Sequence, residues 1–346
     1  MEIRERIEAF WSGERPDRIP FTIYQNEWRH TASAPEWIPL FKKGLGVTWH
    51  LPTVQETWAP QIEHTHQEYK QDGQLHEVVT IQTPLGAIRE TYIDGWRQKF
   101  FLETAQDYAV MTYIVKNTRL EPDYAGFKAM DQKIGPYGIP LIMFGRTPLQ
   151  RILVDWVGLE NFSYHLVDLH DEMMALYQAQ FEMLRKKAVL VAEGPGRFVS
   201  VLENFTAESL GPARYRQFLL PVYQELFPIL QSSGKIIGTH YDGQLSSCKK
   251  WIAEAPMDLI ESLTPPPEGD MTLTEARAAW PNKLFWSNIN VDLYYRPADE
   301  LKRIVCERVA EGAPDGRRFA FEVSEQYPDN WQTSLGSVLD ALEELG

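Results

Sequence analysis

Apolar positions follow two rhythms along this chain. Ile3, Ile7 and Phe10 fall at helical spacing, and Gly13 followed by Pro16 ends that helix. A short apolar run, Ile19 to Ile23, then reads as a buried strand that closes in the polar stretch Tyr24-Gln25-Asn26-Glu27. From about residue 61 to 100 the pattern changes. QIEHTHQEYK, LHEVVTIQTP and AIRETYI alternate polar and apolar positions and are divided by Asp72-Gly73 and by Pro84 with Gly86. That alternation predicts an antiparallel ribbon, an excursion from the main fold.

After residue 100 strand-like and helix-like stretches alternate. IPLIMFG (139–145) predicts a strand, followed by helical PLQRILVDWVG and one long amphipathic stretch from about Glu160 to Glu193. FVSVLEN (198–204), KIIGTHYDG (235–243), DLIESLTPPP (258–267), KLFWSNIN (283–290) and RFAFEVSE (318–325) predict further strands, each followed by a helical segment. These runs are nearly continuous in apolar residues, as strands covered on both faces are. Strand–helix repetition implies parallel strands with right-handed crossovers. With Ile19–Ile23 and Val47–Leu51 the count reaches about eight, which predicts a single α/β domain over 1–346, a (β/α)8 TIM barrel with N-terminal helical and β-ribbon elaborations. A doubly wound open sheet is the competing architecture, but no GxGxxG or GxxxxGK[ST] follows any predicted strand.

Composition narrows the function. The chain of 346 residues carries a formal net charge of −14, and an acidic surface repels phosphate backbones, so nucleic-acid and anionic-membrane partners are disfavoured. Cys248 and Cys306 form no CxxC pair, which points to a reducing compartment and away from a cysteine-rich zinc module. The first twenty residues mix charged and apolar positions and read as neither export signal nor anchor, so the expected location is the cytoplasm.

In a barrel, catalytic groups sit where strands end. The predicted strands turn polar there: Glu203-Asn204, His240-Tyr241-Asp242, Asn288 with Asn290, and Glu325. Residues two apart on a strand share a face, so His240 and Asp242 can point together, as can Asn288 and Asn290. An imidazole beside carboxylates offers ligands for Zn²⁺; the alternative is a hydrogen-bonded structural histidine. Glu203 with Asn204 could equally cap a helix. Glu322 shares a face with Ser324, opposite Glu325. Arg146, after IPLIMFG, could hold an anion or form an ion pair. Tyr24, Trp28, Trp49 and Trp58 are assigned mostly to the core, with Trp28 placed to wall a pocket. His64, His66 and His76 lie on the ribbon, where His64 and His66 form an HxH that could bind metal, the alternative being ordinary polar positions of an exposed strand; Met173, Met174 and Met183 read as packing.

Several stretches together are similar to a known family. RERIEAFWSGERPDRIPF opens with a helix, a Gly and a Pro-Asp-Arg-hydrophobic-Pro run; GTHYDG, DLIESLTPPPEGDMTLTEAR and KLFWSNIN follow. They resemble the uroporphyrinogen decarboxylase-like superfamily of barrels over nearly the whole chain, above all the branch grouped with corrinoid-dependent methyltransferases. Decarboxylases of that family carry Arg-Gln-Ala-Gly-Arg after the first strand, where this chain has Tyr24-Gln25-Asn26-Glu27-Trp28-Arg29. The methyltransferases hold zinc with His-x-Cys and a second Cys near the last strand. Here His240-Tyr241-Asp242 and Glu325, three residues before Pro328, stand at those places.

The resemblance therefore implies a Lewis-acidic zinc with oxygen ligands, bound by His240, Glu203, Asp242 and Glu325. It implies transfer of a methyl group between a small O- or N-methyl compound and a corrinoid carried by a separate protein. Asp242, Tyr241 and Glu203 are the expected catalytic groups, and Asn288, Asn290, Arg146 and Trp28 the expected substrate contacts, with a homodimer as the possible assembly. Two other readings stay open: a metal-free decarboxylase of a porphyrinogen or small acid, with Asp242 stabilising a developing cation, and a ligand-binding barrel without catalysis.

Overall fold

The computed structural model describes residues 1–24, 35–324 and 326–346. Eight parallel strands close into a barrel: β1 (Phe21–Tyr24), β2 (Leu45–Leu51), β3 (Gly138–Met143), β4 (Phe198–Val201), β5 (Ile236–His240), β6 (Leu259–Leu263), β7 (Leu284–Asn288) and β8 (Phe319–Val323). Each strand pairs with its neighbours in sequence order, and β1 closes on β8 with Phe21 opposite Phe321. This is the predicted (β/α)8 TIM barrel. The strands are buried along almost their whole length, which explains why the sequence shows apolar runs rather than alternation.

The chain forms two compact units. The first comprises Met1–Thr53, Asp123–Gly145 and Ala192–Gly346 and contains the whole barrel. Its floor is set by α1 (Ile3–Trp11), which buries Ile7, Phe10 and Trp11 among Phe198, Leu259 and Leu284, the first residues of β4, β6 and β7. Trp11 meets Phe198 and Trp286 at ring separations of 5.1 and 5.5 Å. Such burial contributes about 2–3 kcal/mol per large side chain. Gly238 of β5 makes room for it, because a Cβ there would stand 2.9 Å from both Trp11 and Leu259. Arg277, on the helix Leu273–Ala279, adds a second tie in this unit: it donates to the carbonyls of Gly312, Lys283 and Arg318 and stacks on Phe285. With α1 closing the N-terminal end, the opposite end is the place for chemistry.

The second unit comprises Val54–Pro122 and Arg146–Val191. The predicted ribbon is here, as the four-stranded antiparallel sheet Glu63–Gln71, Gln74–Thr83, Gly86–Ile93 and Trp96–Lys99. The excursion is larger than 61–100, since it includes the strand pair Val54–Trp58 with Thr118–Pro122 and the helices after β3. The long amphipathic stretch is two helices, Leu159–Asp168 and His170–Glu193. Leu169 leaves helical backbone angles between them, and Asp171 and Glu172 then favour a new helix start, where carboxylates meet the positive end of the helix dipole. Among the described residues no helix is long and apolar enough to cross a membrane.

Candidate active site at the barrel mouth

A buried carboxylate organises the C-terminal end of the barrel. Glu261, in the middle of β6, is 1% exposed and lies in register with His240, the last residue of β5. Tyr24 at the end of β1 donates its hydroxyl to Glu261 Oε1 at 2.7 Å, and Ser200 of β4 donates to Oε2 at 3.1 Å. His50 of β2 places Nε2 3.7 Å from Oε1, and His240 places Nδ1 3.8 Å from Oε2. The Tyr24 hydroxyl is also 3.3 Å from His240 Nδ1. On the other side of that ring, Nε2 is 3.5 Å from Asp242 Oδ2, which also accepts from Asn204 Nδ2 at 2.9 Å.

The result is a chain of acid–base groups, His50–Glu261–His240–Asp242, passing from the barrel interior to its rim. Burial favours neutral His50 and pushes its imidazole below the ordinary value; Glu261 opposes that effect and His240 adds to it. Asp242 is less buried, with 29% of its side chain exposed. Burial would raise its carboxyl, but hydrogen bonds with His240 and Asn204 outweigh it and hold the group below the usual carboxylate range.

The adjoining rim is shaped by a β-bulge. The β6–β7 register shifts between Glu261 and Leu263, and Ser262 at the shift has φ +63°. A left-handed non-glycine residue in a strand is strained, and such strain concentrates at functional sites. The bulge aims the Ser262 amide at Glu322 Oε1 (2.8 Å) of β8, while the Ser262 hydroxyl joins Ser324 and Asn288. Asn290 donates to the Pro265 carbonyl and to Glu268. Asp242, Ser262, Glu268, Asn288, Asn290 and Glu322 share the wall of one cavity of about 670 Å³.

No family model and no curated protein matches the sequence. Solved structures do. The chain is similar to a methyltransferase from Methanosarcina mazei. That likeness spans 100% of this chain and 99% of the other, with a TM-score of 0.58 at 12% identity, and at that identity it is a likeness of fold. A B12-independent methionine synthase from Shewanella sp. W3-18-1 matches 91% of this chain and 85% of its own at TM-score 0.42 and 10% identity. The pneumococcal virulence factor StrH matches at the same TM-score and identity.

The residues expected from sequence separate into groups. His240 and Asp242 meet, and Asn288, Asn290 and Asp242 share the cavity. Glu203 is fully buried and accepts from Tyr223 at 2.8 Å, within a cluster in which Tyr241 bonds both Tyr223 and Tyr215. Burial and the nearby Glu203 push the Tyr241 phenol well above its usual value, so Tyr241 stays protonated as a buried donor. Arg146 belongs to the second unit and pairs with Asp155 at 3.0 Å. Trp28 and Glu325 lie outside the described residues. Trp49 is buried, whereas Trp58 is 39% exposed.

The donor set around His240 contains the nitrogen and oxygen groups that zinc accepts, and its separations of 3.5–3.8 Å resemble ligand–ligand edges of a four-coordinate site. The pairs run in series, however, and use both nitrogens of His240. Among the described residues, three donor atoms within 4.8 Å of one another occur on the ribbon, at His66, Glu68 and Glu77, and not at the barrel mouth. Among the described residues the barrel-mouth groups form a series suited to proton transfer, and Glu325, the fourth expected ligand, lies outside those residues. Glu261, His50 and Tyr24 were not among the expected site residues. Their signal was a polar side chain inside an apolar strand, or at its last position, rather than in the loop beyond.

Proposed function

We propose that this protein is a methyltransferase that takes a methyl group from a small O- or N-methyl compound and uses the barrel-mouth acid–base chain to protonate the departing heteroatom. The observation that carries this reading is the His240 ring, held between Glu261 and Asp242 with Asp242 on the cavity wall. Carboxylates on both sides stabilise an imidazolium. The carbon–heteroatom bond breaks as the methyl group leaves, and the proton of His240 passes by way of Asp242 on the cavity wall to the oxygen or nitrogen left behind. Glu261, fixed by Tyr24 and Ser200, orients the ring and supports its charge. The acceptor we assign is a corrinoid carried by a separate protein, which supplies the nucleophile when docked. Asn288, Asn290 and Ser262 are the groups that position the donor.

A porphyrinogen decarboxylase is the weaker reading. The cavity places Asp242, Glu268 and Glu322 on its wall, a poor match for a substrate bearing many carboxylates.

Methyl transfer to cob(I)alamin from methoxylated and methylated-amine donors tests the proposal, followed by the loss of the cob(I)alamin absorption. His240→Gln and Glu261→Gln should each lower kcat by about 10²–10⁴-fold with KM little changed. Wild-type protein should keep its rate after exhaustive chelation. Failure of every donor, full activity in His240→Gln, or an equivalent of zinc lost together with activity in that variant would each overturn it.

A further inference from the structure

The second unit contains a cavity that the barrel chemistry does not use. With the solvent-filled space at its mouth included, it measures about 630 Å³. One wall is a face of the four-stranded sheet: Ile81 lies opposite both His64 and Ile88, and Val79 lies opposite Glu90, so these side chains point the same way. Met111 and Ile114 come from the helix Ala105–Lys116, and Gln180 and Met183 from the helix His170–Glu193. Trp156 completes the apolar lining.

Glu56, His64, Glu90, Thr118, Arg151 and Gln180 are the polar residues of the lining, and Gln180 and Glu90 have buried atoms without a hydrogen-bond partner. Gln180 is fully buried, and neither its Nε2 nor its Oε1 has a hydrogen-bond partner. Its helix fills other buried positions with Met173, Leu176, Met183 and Leu184, so an apolar residue would pack there without the cost of stranding an amide. Glu90 is 8% exposed, and its Oε2 sits 3.4 Å from Arg97 without a hydrogen bond. A roomy, mostly apolar space with a few aimed polar groups is the form of a small-molecule site.

We propose that this cavity binds a small, largely apolar molecule with an amide-like edge, one donor beside one acceptor, which pairs with both amide atoms of Gln180. The apolar body then rests on Val79, Ile81, Met111 and Trp156.

Calorimetric titration of the full chain with benzamide and with 2-piperidinone tests this. Both should bind saturably, acetophenone (which has no N–H) should bind at least tenfold more weakly, and Gln180→Met should weaken both amides at least tenfold. Met matches Gln in length, and its melting temperature should equal or exceed that of wild type, which separates lost binding from lost folding. Val79→Phe, which fills the cavity from the sheet and leaves Gln180 in place, should abolish binding. His240→Gln should bind both amides as wild type does, so failure of the barrel-mouth reading would leave this one standing. Absence of saturable binding by either amide, equal binding by Gln180→Met, or a crystal soaked in benzamide showing only ordered water on Gln180 would each overturn the proposal.

Discussion

His50 illustrates how position changes a side chain's chemistry. It is held neutral by burial beside Glu261, His240 and the Tyr24 ring. An unfolded His50 titrates near 6.5, so below that pH the unfolded chain takes up a proton that the folded chain resists. Stability therefore falls as pH drops from about 6.5 toward the lower folded value, by up to about 1.4 kcal/mol per pH unit from this one group. Denaturant unfolding at pH 7 and pH 5.5 should show a shallower fall for His50→Asn than for wild type. The position was readable as part of a buried strand, Val47–Leu51, but the apolar run concealed that one of its members was an imidazole facing Glu261. Glu261 was concealed in the same way inside DLIESLTPPP. Asp242, Asn288 and Asn290 were legible because they stand at or just beyond the strand ends, where polarity breaks the run.

Strands and helices were more legible than the site, since burial on two faces writes itself into composition. β4, β5 and β6 begin where their apolar runs begin, and the differences lie at their C-terminal ends, where predicted strands continue into loop. Tertiary contacts that sequence cannot show decide the rest. Gly238 is such a case: nothing about KIIGTHYDG reveals that Trp11 of α1 approaches its backbone. Gly238→Ala should cost about 1–3 kcal/mol, because neither Trp11 nor the Leu259 side chain can retreat in a packed barrel floor. The urea unfolding midpoint measures this, and Trp11→Phe in the same background should recover part of the loss by relieving the overlap.

The molecule as a whole combines a barrel with a second unit that has its own electrostatic tie. Within that unit Glu56 bonds Lys187 at 2.8 Å and Arg151 at 3.2 Å. Burial would raise the Glu56 carboxyl, but the two cations outweigh it and bring it down to about 2. A carboxylate whose folded value lies below its unfolded one stabilises at neutral pH, and that contribution is lost as pH falls from about 4.5 toward 2. The amount is on the order of 3 kcal/mol. Amide hydrogen exchange across 54–122 and 146–191 should therefore accelerate on acidification before it does in the barrel strands. Glu56→Gln should show that faster exchange already at pH 7, since it removes the carboxylate charge 2.8 Å from the buried Lys187 ammonium. Two units were not separable in the sequence, because the ribbon was visible by its alternation while the helices that accompany it resemble any other barrel helices.

One carboxylate at the barrel mouth touches side chains from four other strands: Tyr24 of β1, His50 of β2, Ser200 of β4 and His240 of β5. It works like the hub of a wheel, with spokes reaching half the staves of the ring. Under the proposed acid–base role, any alteration of Glu261 is felt twice, once in the traffic of protons and once in how tightly the staves are drawn together, so reactivity and rigidity at this end of the molecule are not tuned apart through that position.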